Sequence, residues 1–305
     1  MNSIHILKTG LIVSALFLFQ AIRAQEDNTD LLSLLGEDEP TRDFTIATFK
    51  STRVINMQSN EGIAAGHLDF RVSHRFGTIN SGAGDLWGLD QAYMRLGLEY
   101  GVNDRLMVGV GRSNVNKEID SFVKYKLIRQ SSGLKNVPLS ISWFSSMVLR
   151  TTPFANPDRT NYFSSRLYYC HQLLLARKFN DALSIQLAPT VVHRNLVADS
   201  TENNDIYAIG VGGRYKMTKR SSFNAEWVAV PANQLDPTYK NSLSIGFDIE
   251  TGGHVFQLHF TNSKPMNEKG FITETTGDWK EGDIQFGFNI SRIFSVVKPR
   301  KSPED

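Results

Sequence analysis

Residues 283–296 read Asp-Ile-Gln-Phe-Gly-Phe-Asn-Ile-Ser-Arg-Ile-Phe-Ser-Val. Ile284, Phe286, Phe288, Ile290 and Phe294 alternate with Gln285, Gly287, Asn289 and Ser291. A period of two puts one set on each face of a strand. The rhythm recurs along most of the chain. Leu68, Phe70, Val72 and Phe76 interleave with Asp69, Arg71, Ser73 and Arg75, and Leu243, Ile245, Phe247 and Ile249 do the same near the far end. Asn103-Asp104, Asn180-Asp181 and Gly252-Gly253 read as tight turns, whereas 151–162, 199–205 and 263–282 read as long polar loops.

Strands in series with one greasy face each need a cover for that face, and an open sheet in lipid leaves unpaired amides at two edges. The pattern predicts an all-β fold: a transmembrane up-and-down antiparallel β-barrel of about 12 strands, or 14 on an alternative count, greasy outside and wet inside. Short turns facing the periplasm and long loops facing outside match the turn asymmetry.

The chain has 305 residues. Lys8 followed by the apolar run Leu11–Phe19 and by Ile22-Arg23-Ala24 predicts a signal peptide over 1–24. Residues 25–42 read as a flexible acidic leader, 43–65 as an extended segment that is either a strand or a lumen plug, 66–296 as the barrel, and 297–305 as a tail. The expected address is the outer membrane of the cell.

Charge sharpens this picture. Asp69, Arg71, Arg75, Arg95, Glu99, Arg105, Lys124, Lys126, Arg166, Arg194, Arg214, Glu226, Asp248, Glu250 and His259 fall on the polar side and are predicted to line the lumen. On the lipid side an Arg or Lys near the midplane would cost roughly 2–4 kcal/mol. Tyr100, Tyr125, Trp143, Tyr169, Tyr215, Trp227 and Phe294 fall on the apolar side, many near strand ends, as an aromatic girdle requires. A terminal strand carrying Phe294 suits recognition by the barrel-assembly machinery, although Val296–Asp305 extend beyond it.

The chemistry-bearing residues are sparse. A net charge of +2 gives no case for nucleic-acid binding. Cys170 is the single cysteine, so no disulfide can form within the chain. His67, His74, His171, His193, His254 and His259 form no spaced metal motif, and neither a metal nor a cofactor is expected. His259-Phe260-Thr261, with Asn262 and Ser263 nearby, is a weak match to a lipid hydrolase on the outer barrel surface.

Several strings nevertheless resemble a known family: 69–77 (Asp-Phe-Arg-Val-Ser-His-Arg-Phe-Gly), Gly88-Leu-Asp90, 109–113, 124–127 and 246–260. Over roughly 43–296 the sequence is similar to the β-barrel domain-of-unknown-function family 5777 of Bacteroidota outer membranes. The resemblance implies a barrel and an outer-membrane address, and no activity. The expected role is porin-like passage or binding of small polar or anionic solutes. The alternatives are a non-conducting barrel that is structural or docks a periplasmic or surface protein, and an outer-membrane lipid hydrolase. Catalysis is the less favoured class, and outer-membrane lipid is the expected surrounding partner.

Overall fold

The computed structural model describes residues 41–154, 156–158, 160–197 and 202–297. The signal-peptide reading of 1–24, nearly all of the leader and nearly all of the tail lie outside them. The chain divides into a small unit, Met1–Asp43 with Gly133–Lys135, and a large one, Phe44–Ser132 with Asn136–Asp305. A two-stranded ribbon pairs β1 (Arg42–Phe44) with β6 (Ser131–Gly133).

Twelve antiparallel strands close a barrel within the large unit. They are β2 (His67–Thr78), β3 (Ala92–Gly101), β4 (Leu106–Ser113), β5 (Glu118–Ile128), β7 (Ser140–Arg150), β8 (Leu167–Lys178), β9 (Leu183–Arg194), β10 (Asp205–Lys216), β11 (Ser221–Ala229), β12 (Ser242–Thr251), β13 (His254–Thr261) and β14 (Gln285–Ser295). Each pairs with the next along the chain, and β14 returns to β2, with Phe294 opposite Leu68 and Ser295 opposite His67. This is the up-and-down barrel that the alternation predicts, at the lower of the two expected counts.

The short turns share one chemistry. Asn103 Oδ1 accepts from the Arg105 and Leu106 amides at 2.9 and 2.8 Å, and Asn180 Oδ1 accepts from Ala182 and Leu183, both at 2.8 Å. A side-chain carbonyl thus stands in for a backbone acceptor and reverses the chain in few residues. Thr218 Oγ1 does the same for Arg220 and Ser221. At the β12–β13 turn Gly253 takes φ +118°, which only glycine adopts without strain.

Outward positions remain apolar and exposed: Leu96 and Leu98, Ile185 and Leu187, Phe256 and Leu258. The girdle residues divide by level. Tyr100, Tyr125, Trp143, Tyr215 and Phe294 lie toward the short-turn ends of their strands, whereas Tyr169 and Trp227 lie toward the long-loop ends. The long-loop level gains Phe76, Phe260 and Phe286, whose rings pack within 5.8 Å of one another in sequence around the β13–β14–β2 seam.

The first strand of the barrel is also an anchor. Gly66, at φ +73°, accepts from the Val296 and Val297 amides at 3.0 Å each, and its own amide donates to Gly101 O. Residues 45–65 therefore join the wall at the seam.

Candidate functional site: the barrel lumen

Most of the expected lumen charges do point inward. Asp69, Arg71, Arg75, Arg95, Glu99, Lys124, Arg194, Arg214, Glu226, Asp248 and His259 are buried, and Lys126 lies partly buried at the short-turn mouth beside Glu61. Two expectations need correction, and a third residue keeps its inward phase at the mouth. Arg105 sits in the exposed β3–β4 turn, because Asn103 closes the turn one residue later than the alternation suggests. Arg166 ends a 3-10 turn before β8, donates to Arg150 O and Thr152 O, and lies over the Phe154 ring. Glu250 stands at the half-exposed end of β12, paired with Lys50.

The charged wall is built from pairs. Arg95 Nε donates to Asp120 Oδ1 at 2.9 Å, and its second nitrogen reaches Asp120 Oδ2. Arg71 meets Asp69 at 3.2 Å and Glu99 at 3.8 Å. The sequence missed Asp120, although it shares the inward phase of Lys124. Gln257 donates to Asp248 at 2.7 Å and Ser291 to Asp69 at 2.6 Å.

The lumen face of β7–β10 is mixed, with Ser142, Ser146, Gln172, Gln186 and Thr190 set among apolar residues. Phe144, Cys170, Leu174, Ala188, Val192, Ile206 and Ala208 on β7–β10 all face inward and are buried. Alternation alone identifies a face, not its polarity, and these inward positions look like ordinary core residues.

Two chain segments fill the space between the walls. From the short-turn mouth, residues 52–59 enter as a tight reversal: Ser59 N donates to Thr52 O at 2.9 Å and Val54 N to Met57 O at 2.8 Å. At its tip the Ile55, Asn56 and Met57 amides all donate to the Glu226 carboxylate, at 3.0, 2.8 and 3.0 Å. Asn56 also donates to Ser244 Oγ at 2.9 Å and accepts from Arg75 at 2.7 Å. The apolar side chains Phe49, Val54 and Met57 join the apolar cluster.

The second segment is the β13–β14 connection. The sequence reads 263–282 as a polar loop, but it contains α1 (Glu268–Thr273), all of it buried. Asn267 caps it, accepting from Gly270 N at 2.8 Å, and Phe271 and Ile272 join the apolar cluster. An apolar pair one helical turn after a capping Asn was the available signal. Glu268 accepts from Arg53 and Gln58 at 2.9 Å each, so the two segments meet inside the barrel. Lys269 bridges Glu118 at 2.9 Å and Glu274 at 2.6 Å. Burial alone would raise the Glu274 carboxyl, but Lys269 and Arg150 hold it below the ordinary range.

Three buried wall cations have no carboxylate within ion-pair distance among the described residues: Arg75, Lys124 and Arg214. Lys124 Nζ donates to Thr52 O, Gln58 Oε1 and Ser59 O at 3.2, 3.0 and 3.0 Å. Arg214 donates to Ala47 O and Thr48 O. Arg75 donates to Asn56, to Asn289 at 3.3 Å and to the carbonyl of His74. Most of their partners therefore belong to the inserted segment. At the short-turn mouth a cavity of about 410 Å³, bordered by Lys50, Glu61, Glu250 and His254, ends against Thr52.

The hydrolase constellation does not face lipid. His259, Thr261 and Ser263 are buried inside, and Thr261 accepts from Ser244. His67 bonds the neighbouring Ala65 carbonyl at the mouth. No group of three metal-ligating side chains occurs among the described residues.

The sequence matches the family described as a membrane bound beta barrel domain (DUF5777) over residues 49–294. Among solved structures, the NanC porin aligns at TM-score 0.48 and 9% identity, covering 75% of this chain and 100% of that one. The KdgM porin aligns at TM-score 0.46 and 12% identity, over 75% and 99%. Salmonella typhi OmpF, in a complex with daunomycin, aligns at TM-score 0.36 and 12% identity, over 75% and 97%. No curated protein matches significantly.

Proposed function

This chain belongs to the membrane-bound β-barrel family DUF5777, and from that premise we propose that it is an outer-membrane, porin-like barrel, shut at rest, that passes small anionic solutes when residues 45–65 withdraw. The observation that carries this reading is the set of three wall cations satisfied largely by the inserted segment. With the segment in place, Arg75, Lys124 and Arg214 are covered by its amide and carbonyl oxygens. With it withdrawn, they become three free cations spaced around the lumen on β2, β5 and β10, and such rings select anions. Glu99, Glu226, Glu250 and Glu268 lose partners in the same step, and Glu226 gives up three backbone amides.

The test uses the full chain. Asn56→Cys with Ser244→Cys, in a Cys170→Ser background, places two thiols where Asn56 now bonds Ser244. In planar bilayers the oxidised protein is silent, and reduction restores a current that prefers chloride to potassium. A reduced barrel that passes no current, or one that prefers cations, overturns the proposal.

A further inference from the structure

Three arginines of the barrel strands point outward: Arg112 on β4, Arg177 on β8 and Arg292 on β14. Arg177 and Arg292 stand near the short-turn ends, each over a neighbouring ring, Phe179 and Phe294. Arg112 stands at the long-loop end and is held differently. Its Nη1 donates to Lys117 O and, at 3.2 Å, to Thr151 Oγ1. Thr151 donates to the same carbonyl through both its amide and its hydroxyl. Asn116 and Lys117 take φ +52° and +48°. Two consecutive left-handed residues other than glycine make a costly turn, and this one presents the Lys117 carbonyl to Arg112.

The clamp uses one nitrogen and leaves the other edge of the guanidinium open. Nε and Nη2 form the fork that grips an oxyanion with two parallel bonds. Inside the barrel Arg95 uses that edge on Asp120. Arg112 is exposed, and its fork has no partner among the described residues. The Lys117 ammonium is likewise exposed and without an ion pair among them. Next to the fork on the lipid side lies a groove of about 420 Å³, walled by Phe70, Leu96, Leu98, Val110 and Ile119, with Arg112 as its single charged border. The register fixes the order. Arg112 is level with Leu96 and Ile119, whereas Val110 is level with Leu98 and Phe70, one outward step further from the long-loop end.

We propose that this groove binds a phosphorylated lipid of the outer leaflet, lipid A, with a phosphate on the Arg112 fork and one acyl chain along Leu96, Leu98 and Val110. Charge selects the headgroup. A phosphomonoester carries about −1.5 to −2 at neutral pH, which two unpaired cations match and a net-neutral headgroup does not. The groove selects a lipid over a free anion, because an acyl chain fills an apolar trough that inorganic phosphate cannot use. Depth agrees with both. The long-loop end is the outer one in barrels with this turn asymmetry, so the fork lies at the headgroup level and the groove at the level of the chains. The inference rests on the outer-membrane reading above and not on conduction.

The full chain in detergent is titrated with diphosphoryl lipid A, with the same lipid stripped of its phosphates, and with inorganic phosphate, and the bound mass is read without denaturation. Diphosphoryl lipid A should bind about tenfold or more tighter than either control, as expected for charge-assisted bonds. Arg112→Gln with Lys117→Gln should remove that advantage and leave binding of the stripped lipid unchanged. Val110→Trp, which fills the groove and keeps both cations, should also weaken lipid A. These residues are exposed, so the barrel still folds, as checked by heat-modifiable gel mobility. Leu98→p-benzoylphenylalanine, irradiated in whole outer membranes, should attach to lipid A. Equal affinity for the stripped lipid, inorganic phosphate bound as tightly, undiminished binding in the double variant, or attachment at position 98 to a protein would each overturn the proposal.

Discussion

Glu226→Gln isolates the bond set that holds the inserted segment. Glu226 accepts from three successive amides, with Oε1 taking Asn56 and Oε2 taking Ile55 and Met57. A hydrogen bond to a charged group contributes about 1.5–3 kcal/mol. Glutamine retains one oxygen and aims an NH2 at amides that are themselves donors. At least one such bond is lost and the rest become neutral, so the seated state weakens by about 3 kcal/mol. At 1.4 kcal/mol per decade, that is roughly a 100-fold shift toward withdrawal. The β11 ladder to Gly212 and Ser244 uses backbone atoms only, so the wall is unaffected. Hydrogen exchange read by mass spectrometry on the folded barrel measures the shift. Peptides covering 54–59 should exchange roughly 100-fold faster, with β11 and β12 peptides unchanged. Exchange within about threefold of the unaltered protein would show that Glu226 does not hold the segment, and parallel loss of protection in β11 would show that the wall and the segment unfold as one.

Other consequences are open to direct measurement. Because Lys269 and Arg150 keep the Glu274 carboxyl below its ordinary value of 4.5, its contribution is fully present above that value and is lost only as pH falls through the lowered one; proteolysis of 262–284 should stay constant from pH 7 to 5 and rise below that, and Glu274→Gln should remove the rise. A Cβ at Gly111 would sit 2.2 Å from an Arg95 guanidinium nitrogen, so Gly111→Ala should displace the Arg95–Asp120 pair and cost about 1–3 kcal/mol in urea unfolding of the vesicle-inserted barrel; an unchanged midpoint would show that Arg95 has room to move. Phe271→Ala removes a fully buried ring between the two walls and should cost about 3–5 kcal/mol by the same measurement; a loss below about 1 kcal/mol would mean that α1 contributes little to the packed lumen.

The barrel was legible because lipid on one side and protein on the other impose a strict period of two, and Ile284 to Ile290 show it without interruption. Turn chemistry was legible at Asn103 and Asn180, yet the exact turn length was not, which is why Arg105 falls outside the wall. What fills the lumen left little trace. Residues 52–59 bury polar atoms against polar partners distant in sequence, such as Glu226 and Lys124, and no local pattern records such pairings. The inward apolar positions on β7–β10 were hidden for a related reason: Phe144, Leu174 and Ile206 share one buried cluster with Met57 and Phe271, which enter the lumen from other parts of the chain.

Gly66 ties the inserted segment to the seam between the first and last barrel strands, so a stopper that swings free remains on a leash. Residues 45–65 extend at most roughly 70 Å at full stretch, which keeps the tip near the rim. Re-sealing is then an intramolecular encounter at an effective concentration in the millimolar range. Its rate should not depend on how many copies a membrane holds, and a vacated channel should close without help from any diffusing factor.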